Sequence, residues 1–374
     1  MRVALIGTRG IPASHGGFET CMEEIGWRLA KRGHQVAVYS KYQGYDKKEY
    51  RGMKIVFIPR IPLKGFETLF ASFLAVIHAL VFCRYDFHMV FDNANAPVLL
   101  LLKLFNKNYS INTDGLGWKR DKWGFWAKKY YKWTESACVK FSKNIVSDSL
   151  EIQKYYAVSY NATTTMIAYG ANIPDKHSED EIQAVLTEFG LKKLKYILQV
   201  TRFEPENNPL LTLQAFSKIK FEDKKMLLIG KVLTQTSYGQ KIIKEREINS
   251  NIILPGSLYD KKKLEILWTN SLCYIHGNQI GGTNPALLQA MAAQRPILAR
   301  DCVFNREVLS EFGYFYDSNI SSLQKQLVLI IGNMHQAEAK ASQAFKRVKQ
   351  YYDWDRITDQ YESYFKSING KIQS

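Results

Sequence analysis

The residues best suited to chemistry are Gly281-Gly282-Thr283-Asn284-Pro285, which follow an apolar run at 272–275 and precede Leu287, Leu288, Gln289 and Met291. The run reads as a buried strand. Glycine lets a backbone approach a ligand closely. Asn284 suits a helix N-cap, Pro285 suits the first helical position, and the apolar spacing predicts the helix itself. Free backbone N–H groups at such a terminus attract phosphate. The same pattern also fits an ordinary strand, turn and helix.

Other constellations also follow apolar runs. Gly7, Arg9, Gly10, Gly16 and Gly17 form a loop able to wrap a phosphate or a sugar, and Arg9 could add charge. The loop matches neither the Gly-x-Gly-x-x-Gly dinucleotide pattern nor a Walker loop, and a plain surface loop is its other reading. Asp114 is placed at a strand's carboxyl end, where catalytic groups collect, although Asp114-Gly115 also reads as a turn. Downstream, Trp118, Lys119, Arg120, Lys122 and Trp123 open a run to residue 133 that interleaves basic and aromatic side chains. Such a run suits a membrane interface, nucleic-acid stacking or helix packing. Arg202, in Arg202-Phe203-Glu204-Pro205-Glu206-Asn207-Asn208, could pair bidentately with a diphosphate or simply with a neighbouring Glu. Gly230 and Gly256 mark the exits of two further runs.

No metal or nucleophile motif emerges. Asp353-Trp354-Asp355 has the spacing of a metal-binding Asp-x-Asp but lies in a charged helical region, away from any strand end. His15, His78, His88 and His276 are isolated, with a structural role as the default. Cys21, Cys83, Cys138, Cys273 and Cys302 are scattered singly, which argues against zinc or a disulfide framework and fits a reducing cytoplasm.

The elements that must position these groups are strands alternating with helices. Apolar runs fall at 2–7, 35–40, 54–59, 88–92, 109–113, 144–147 and 165–168, then at 195–200, 225–229, 251–254, 272–275 and 296–299. That alternation implies parallel sheets covered on both faces, whose ligands bind beyond the carboxyl ends of the strands. The turn-rich residues 169–176 are the candidate linker between two tandem α/β units. A chain of 374 residues with 46% hydrophobic and 23% charged side chains supports two cores. The net charge of +16 implies an anionic partner: nucleic acid, an anionic membrane or phosphorylated substrates. Residues 69–83 are too few to span a bilayer and read as a buried crossover helix. The opening residues enter a strand directly, without the pattern of a signal peptide.

Together, Arg202-x-x-Pro-Glu, Gly256 and Gly-Gly-Thr-Asn-Pro before an Ala-Met-Ala helix resemble glycosyltransferase family 4. Gly7-Thr8-Arg9-Gly10-Ile11-Pro12, Gly16-Gly17-Phe18-Glu19, Asp114-Gly115-Leu116, Trp118-Lys119-Arg120, Lys122-Trp123 and His276-Gly277 resemble its bacterial rhamnosyltransferase branch. The resemblance covers essentially the whole chain. It implies the GT-B architecture, α/β with two Rossmann-like parallel-sheet domains facing each other across a cleft, and retaining chemistry without a metal or other cofactor.

The implied acceptor-side domain is 1–172 joined by a returning helix at 351–374, and the implied donor domain is 173–350. By resemblance, Arg202 and the amides of Gly281, Gly282, Thr283 and Asn284 hold the diphosphate of a nucleotide sugar. Loops at Gly230 and Gly256 hold the base, and Gly16 and Gly17 face the diphosphate. Asp114 and Arg202 are the catalytic candidates. Arg9, Trp118, Lys119, Arg120, Lys122 and Trp123 take the acceptor or membrane side. Gln289 stands where the family has a ribose-binding Glu, Gly281 and Gly117 also replace Glu, and Asn207 or Asn208 replaces a phosphate-binding Lys.

The expected reaction moves L-rhamnose from dTDP-L-rhamnose to a lipid-diphosphate-linked saccharide of a capsule or other bacterial surface polysaccharide. The expected place is cytoplasmic, peripheral on the anionic inner face of the plasma membrane, with no nucleic-acid partner. A UDP- or GDP-hexose enzyme and a weakly active nucleotide-sugar-binding relative are the alternatives.

Overall fold

In the computed structural model the apolar runs become strands buried between two helical layers. The structure describes residues 1–13, 16–41, 47–59, 67–113, 116–120, 123–219, 221 and 223–370. The chain divides into two compact units, Met1–Gly170 with Asp353–Ser374, and Ala171–Tyr352.

The first unit holds β1 (Arg2–Ile6), β2 (Gln35–Lys41), β3 (Glu49–Tyr50), β4 (Met53–Ile58), β5 (Phe87–Phe91), β6 (Tyr109–Thr113), β7 (Ile145–Ser147) and β8 (Thr165–Met166). Their order is β3-β4-β2-β1-β5-β6-β7-β8, parallel except where β3 meets β4. Side chains alternate across β1, so its two faces serve different cores. Ala4 and Ile6 pack with Ala75, Val76, Leu99, Leu102 and Ala137 from the helices Glu67–Phe82, Leu99–Leu104 and Phe125–Phe141. Leu5 faces Gly26 of the helix Gly17–Lys31, where a Cβ would lie 3.2 Å from the Leu5 side chain. On that side the helix Trp354–Gly370 docks through Arg28 Nε to Asp355 at 3.0 Å and Arg32 Nη1 to Glu362 at 2.9 Å.

The second unit holds β9 (Tyr196–Val200), β10 (Lys225–Ile229), β11 (Ile252–Ile253), β12 (Cys273–His276), β13 (Ile297–Arg300) and β14 (Tyr314–Tyr316). All pairings are parallel, in the order β11-β10-β9-β12-β13-β14. Ile197, Met226, Leu228, Ile275 and Leu298 centre its core.

Both sheets are doubly wound. The direction of winding reverses between β1 and β5 in one unit and between β9 and β12 in the other. Ligand crevices form outside the carboxyl ends of strands at such switch points.

Two sequence expectations need correction. β3 and β14 are not among the apolar runs, because one is a two-residue antiparallel edge and the other a three-residue strand. The helix Glu67–Phe82 crosses over as expected but is buried on one side only, leaving Phe73, Ile77, Val81 and Phe82 exposed. Asp353-Trp354-Asp355 falls in a helical region as expected: the Asp353 side chain accepts from the amides of Asp355 and Arg356 at the helix start, and Asp355 anchors the helix to Arg28.

Candidate functional site

The loops leaving β9 and β12 converge because glycine removes the side chain that would hold them apart. A Cβ on Gly277 would lie 2.1 Å from the Asn207 carbonyl oxygen, and one on Gly230 would lie 2.1 Å from that of Thr201. Amide side chains then stitch the loops together. Asn208 Nδ2 donates to the Gly277 carbonyl at 2.8 Å, Thr201 Oγ1 to Asn278 Oδ1 at 3.0 Å, and Asn305 Nδ2 to the Asn278 carbonyl at 2.8 Å. The Gly230 amide donates to the Gly256 carbonyl at 3.0 Å, so the two glycine exits assigned to the base are neighbours.

Arg202 leaves this lattice on the exposed side of the β9 loop. Asn207 does not stand in for a phosphate-seeking Lys in the described geometry. It is buried, with Nδ2 donating to the Arg202 carbonyl at 2.9 Å and its own carbonyl accepting from Gln199 Nε2 at 3.3 Å. It shapes the turn that presents Arg202.

Beyond β12, Gly281 takes φ +117°, a value that favours glycine. Asn284 Oδ1 accepts from the Ala286 amide at 3.0 Å and caps the helix Pro285–Ala292. Gly282 and Thr283 are buried beside that N-terminus. Gln289 Nε2 donates to the Asn172 carbonyl at 3.1 Å, which orients the amide and leaves its oxygen as the acceptor. Beneath the loops His276 is buried, and burial lowers its pKa to about 3, so the imidazole is neutral at physiological pH. Glu206 is 3% exposed, and its carboxylate oxygens have no hydrogen-bond partner among the described residues.

In the first unit the loop after β1 is drawn against β5 and β2. A Cβ on Gly7 would lie 2.3 Å from the Phe91 carbonyl oxygen. Asn95 Nδ2 donates to the carbonyls of Gly7 and Phe91, each at 2.8 Å. Gly16, at φ +105°, precedes Gly17 at the start of the helix Gly17–Lys31. Glu19 Oε1 accepts from the Arg9 amide at 3.3 Å, so a carboxylate rests in the loop proposed for an anion.

Trp118 lies under two ammonium groups, with Lys119 Nζ 5.4 Å and Lys132 Nζ 4.9 Å from its ring centre. Trp123 lies against Tyr131, with ring centres 5.3 Å apart, and a Cβ on Gly117 would lie 3.0 Å from that tyrosine ring. Arg120 ends this turn. Asp114 and Lys122 lie outside the described residues. The structure therefore brings together Arg202, Asn207, Gly230 and Gly256 around one lattice, with Asn284 and Gln289 on the helix that follows β12. Asn95, Asn278 and Asn305 were absent from the sequence-based site. All three act through bonds to loops distant in sequence, which leave no local pattern.

Residues 183–347 match the family model of glycosyl transferases group 1. That match falls within the second unit, Ala171–Tyr352. Residues 1–172 match a domain of unknown function, DUF1972. No curated protein matches the chain by sequence.

Among solved structures, the sucrose-phosphate synthase of Thermosynechococcus elongatus is 17% identical with a TM-score of 0.83, covering 99% of each chain. A glycosyltransferase of Rickettsia africae is 15% identical with a TM-score of 0.78, covering 98% of each chain. Anabaena HepE in complex with UDP-glucose is 15% identical with a TM-score of 0.76, covering 98% of this chain and all of its own. These likenesses establish the α/β GT-B fold expected from the sequence.

The second unit thus places its switch-point loops, Arg202 and the Asn284-capped helix at the carboxyl edge of β9 and β12. Among the described residues, no group of three His, Cys, Asp or Glu could hold a metal ion. Nor is any described helix long and apolar enough to cross a membrane.

Proposed function

We propose that this chain is a retaining, metal-independent glycosyltransferase that moves L-rhamnose from dTDP-L-rhamnose to a lipid-diphosphate-linked saccharide of a bacterial surface polysaccharide. The observation that carries the reading is the pairing of Arg202, held by Asn207, with the helix N-terminus capped by Asn284 on neighbouring switch-point loops. Departure of the sugar leaves charge on the nucleotide diphosphate. A guanidinium and the positive end of a helix stabilise that charge without reorganising, the largest kind of contribution a site can make to such a step. The oriented Gln289 oxygen accepts from a ribose hydroxyl, and the Gly230 and Gly256 exits flank the base. Asp114 supports the reacting sugar in this reading. The capsule assignment and the inner leaflet as workplace rest on the sequence resemblance and the charge of +16.

A second reading keeps the reaction and changes the donor. HepE binds UDP-glucose, and a trehalose-6-phosphate enzyme from E. coli with the same fold was solved with UDP-2-fluoro glucose. A weakly active nucleotide-sugar binder is favoured by Gln289 and Gly117. Calorimetric titration with dTDP, UDP and GDP, followed by a donor screen, separates the three. Tight dTDP binding with turnover of dTDP-L-rhamnose supports the first reading. Turnover of a UDP- or GDP-hexose alone overturns it in favour of the second, and nucleotide binding without turnover favours the third.

A further inference from the structure

We propose that the outward face of the helices Glu67–Phe82, Leu99–Leu104 and Phe125–Phe141 is the surface by which the protein docks on an anionic lipid bilayer. The proposal rests on the reading of a lipid-linked acceptor and adds which surface meets the lipid.

The three helices share one core over β1, β5 and β6, so their outer sides form one face. On the first, Phe73, Ile77 and Val81 recur every four residues as an exposed stripe, and Phe82 at its end is 75% exposed. On the second, Leu99 and Leu102 turn inward while Leu100 and Leu104 turn outward, Leu104 being 70% exposed. On the third, Ala137 and Cys138 are buried while Trp133 and Trp126 face solvent, Trp126 being 78% exposed. Scattered exposed apolar residues are ordinary, but large ones on three adjoining helices mark an interaction surface.

Charge decides what that surface meets. Arg84, Lys103, Lys129, Lys140 and Lys143 are exposed along these segments. Over residues 67–113 and 123–143 the acids are Glu67, Asp86, Asp92 and Glu135. Each is engaged: Glu67 lies 3.6 Å from Lys41 Nζ, Asp86 pairs with Arg2 at 3.3 Å, Asp92 accepts from the Ala94 amide at 2.9 Å, and Glu135 is buried. The opposite face differs, with Asp355, Asp359 and Glu362 balancing Arg28 and Arg32.

A surface at once apolar, aromatic and uniformly cationic fits phospholipid headgroups above acyl chains. Lys129 Nζ sits 4.5 Å from the Phe125 ring centre and 5.6 Å from that of Trp126, an ammonium over rings that can settle at the interface. Helices in a parallel α/β unit run antiparallel to the strands. Phe125 and Trp126, at a helix start, therefore lie at the carboxyl edge of the sheet, the edge that also carries the Gly7 loop.

The test is flotation of the full chain with vesicles of phosphatidylglycerol and phosphatidylcholine, against phosphatidylcholine alone. One variant combines Phe82→Ser, Leu104→Ser and Trp126→Ser, and a second combines Lys103→Glu and Lys129→Glu. The expected result is flotation with the anionic vesicles only, reduced by on the order of tenfold or more in each variant. Thermal melting and nucleotide binding in lipid-free buffer check folding and should match wild type. Flotation unchanged in both folded variants overturns the proposal. So does a wild-type dimer in lipid-free buffer that the same variants render monomeric, which would make the face a protein interface. A chain that floats but binds no nucleotide leaves docking standing and removes the donor reading. A chain that binds nucleotide but does not float does the reverse.

Discussion

Gln289 Nε2 donates to the carbonyl oxygen of Asn172 at 3.1 Å, tying the helix Pro285–Ala292 to the first residues of the second unit. A glutamate at 289 could not donate there. Its oxygen would face the Asn172 carbonyl, acceptor against acceptor.

Gln289→Glu should therefore destabilise the second unit by about 1–2 kcal/mol, the range for a lost hydrogen bond with a partner left unmade. Chemical denaturation without ligand measures it. A Glu variant as stable as wild type would show that the bond to Asn172 contributes little and that the glutamine serves only the nucleotide.

Arg202 is the described cation on the switch-point loop. Arg202→Ala should lower kcat/KM by roughly 100-fold or more, the usual scale for losing one charge-stabilising group, and Arg202→Lys should recover only part of it because an ammonium lacks the bidentate fork. Steady-state kinetics with the donor identified by the screen reads both. Equal activity in the Arg202→Lys variant and the wild-type enzyme would reduce the role to a point charge.

Gly230→Ala asks whether loop convergence matters. Its Cβ would meet the Thr201 carbonyl oxygen at 2.1 Å and the Phe203 ring at 2.5 Å. Relieving such overlap costs about 1–3 kcal/mol. Because Gly230 also donates to Gly256, nucleotide affinity should fall along with stability, by about tenfold for each 1.4 kcal/mol expressed in binding. Calorimetry with wild type and variant decides it, and unchanged affinity would detach these exits from the base.

His276 gives the second unit a pH dependence of defined sign. Burial lowers its pKa from the usual 6.5 to about 3, so below the unfolded value the unfolded chain binds the proton that the folded chain refuses. This contribution is fully present above the unfolded pKa and is lost as pH falls from about 6.5 toward about 3, by at most about 1.4 kcal/mol per pH unit. Stability curves for wild type and His276→Phe should diverge over that window. Parallel curves would mean the ring is solvated when charged.

Much of this arrangement was legible in the sequence, and for reasons that can be named. The strands around both switch points showed as apolar runs because parallel strands are buried on both faces. The helix after β12 showed through Asn284 and Pro285, whose capping preferences are local. The bonds of Asn95, Asn208 and Asn305 did not show, because a side chain reaching a carbonyl in another loop depends on the finished fold. The helix Glu67–Phe82 misled for the opposite reason. It is apolar nearly all round, so its pattern could not separate the stripe facing the core from the stripe facing outward.

The loops that carry Arg202 are fastened by neutral groups: Asn207, Asn208, Asn305 and Thr201 all bond through amides, hydroxyls or carbonyls. Ionic strength screens charges and leaves such bonds almost untouched. Added salt should then weaken the guanidinium's hold on a diphosphate while the frame around it keeps its shape. The loss of affinity with salt would become a direct gauge of that one contact.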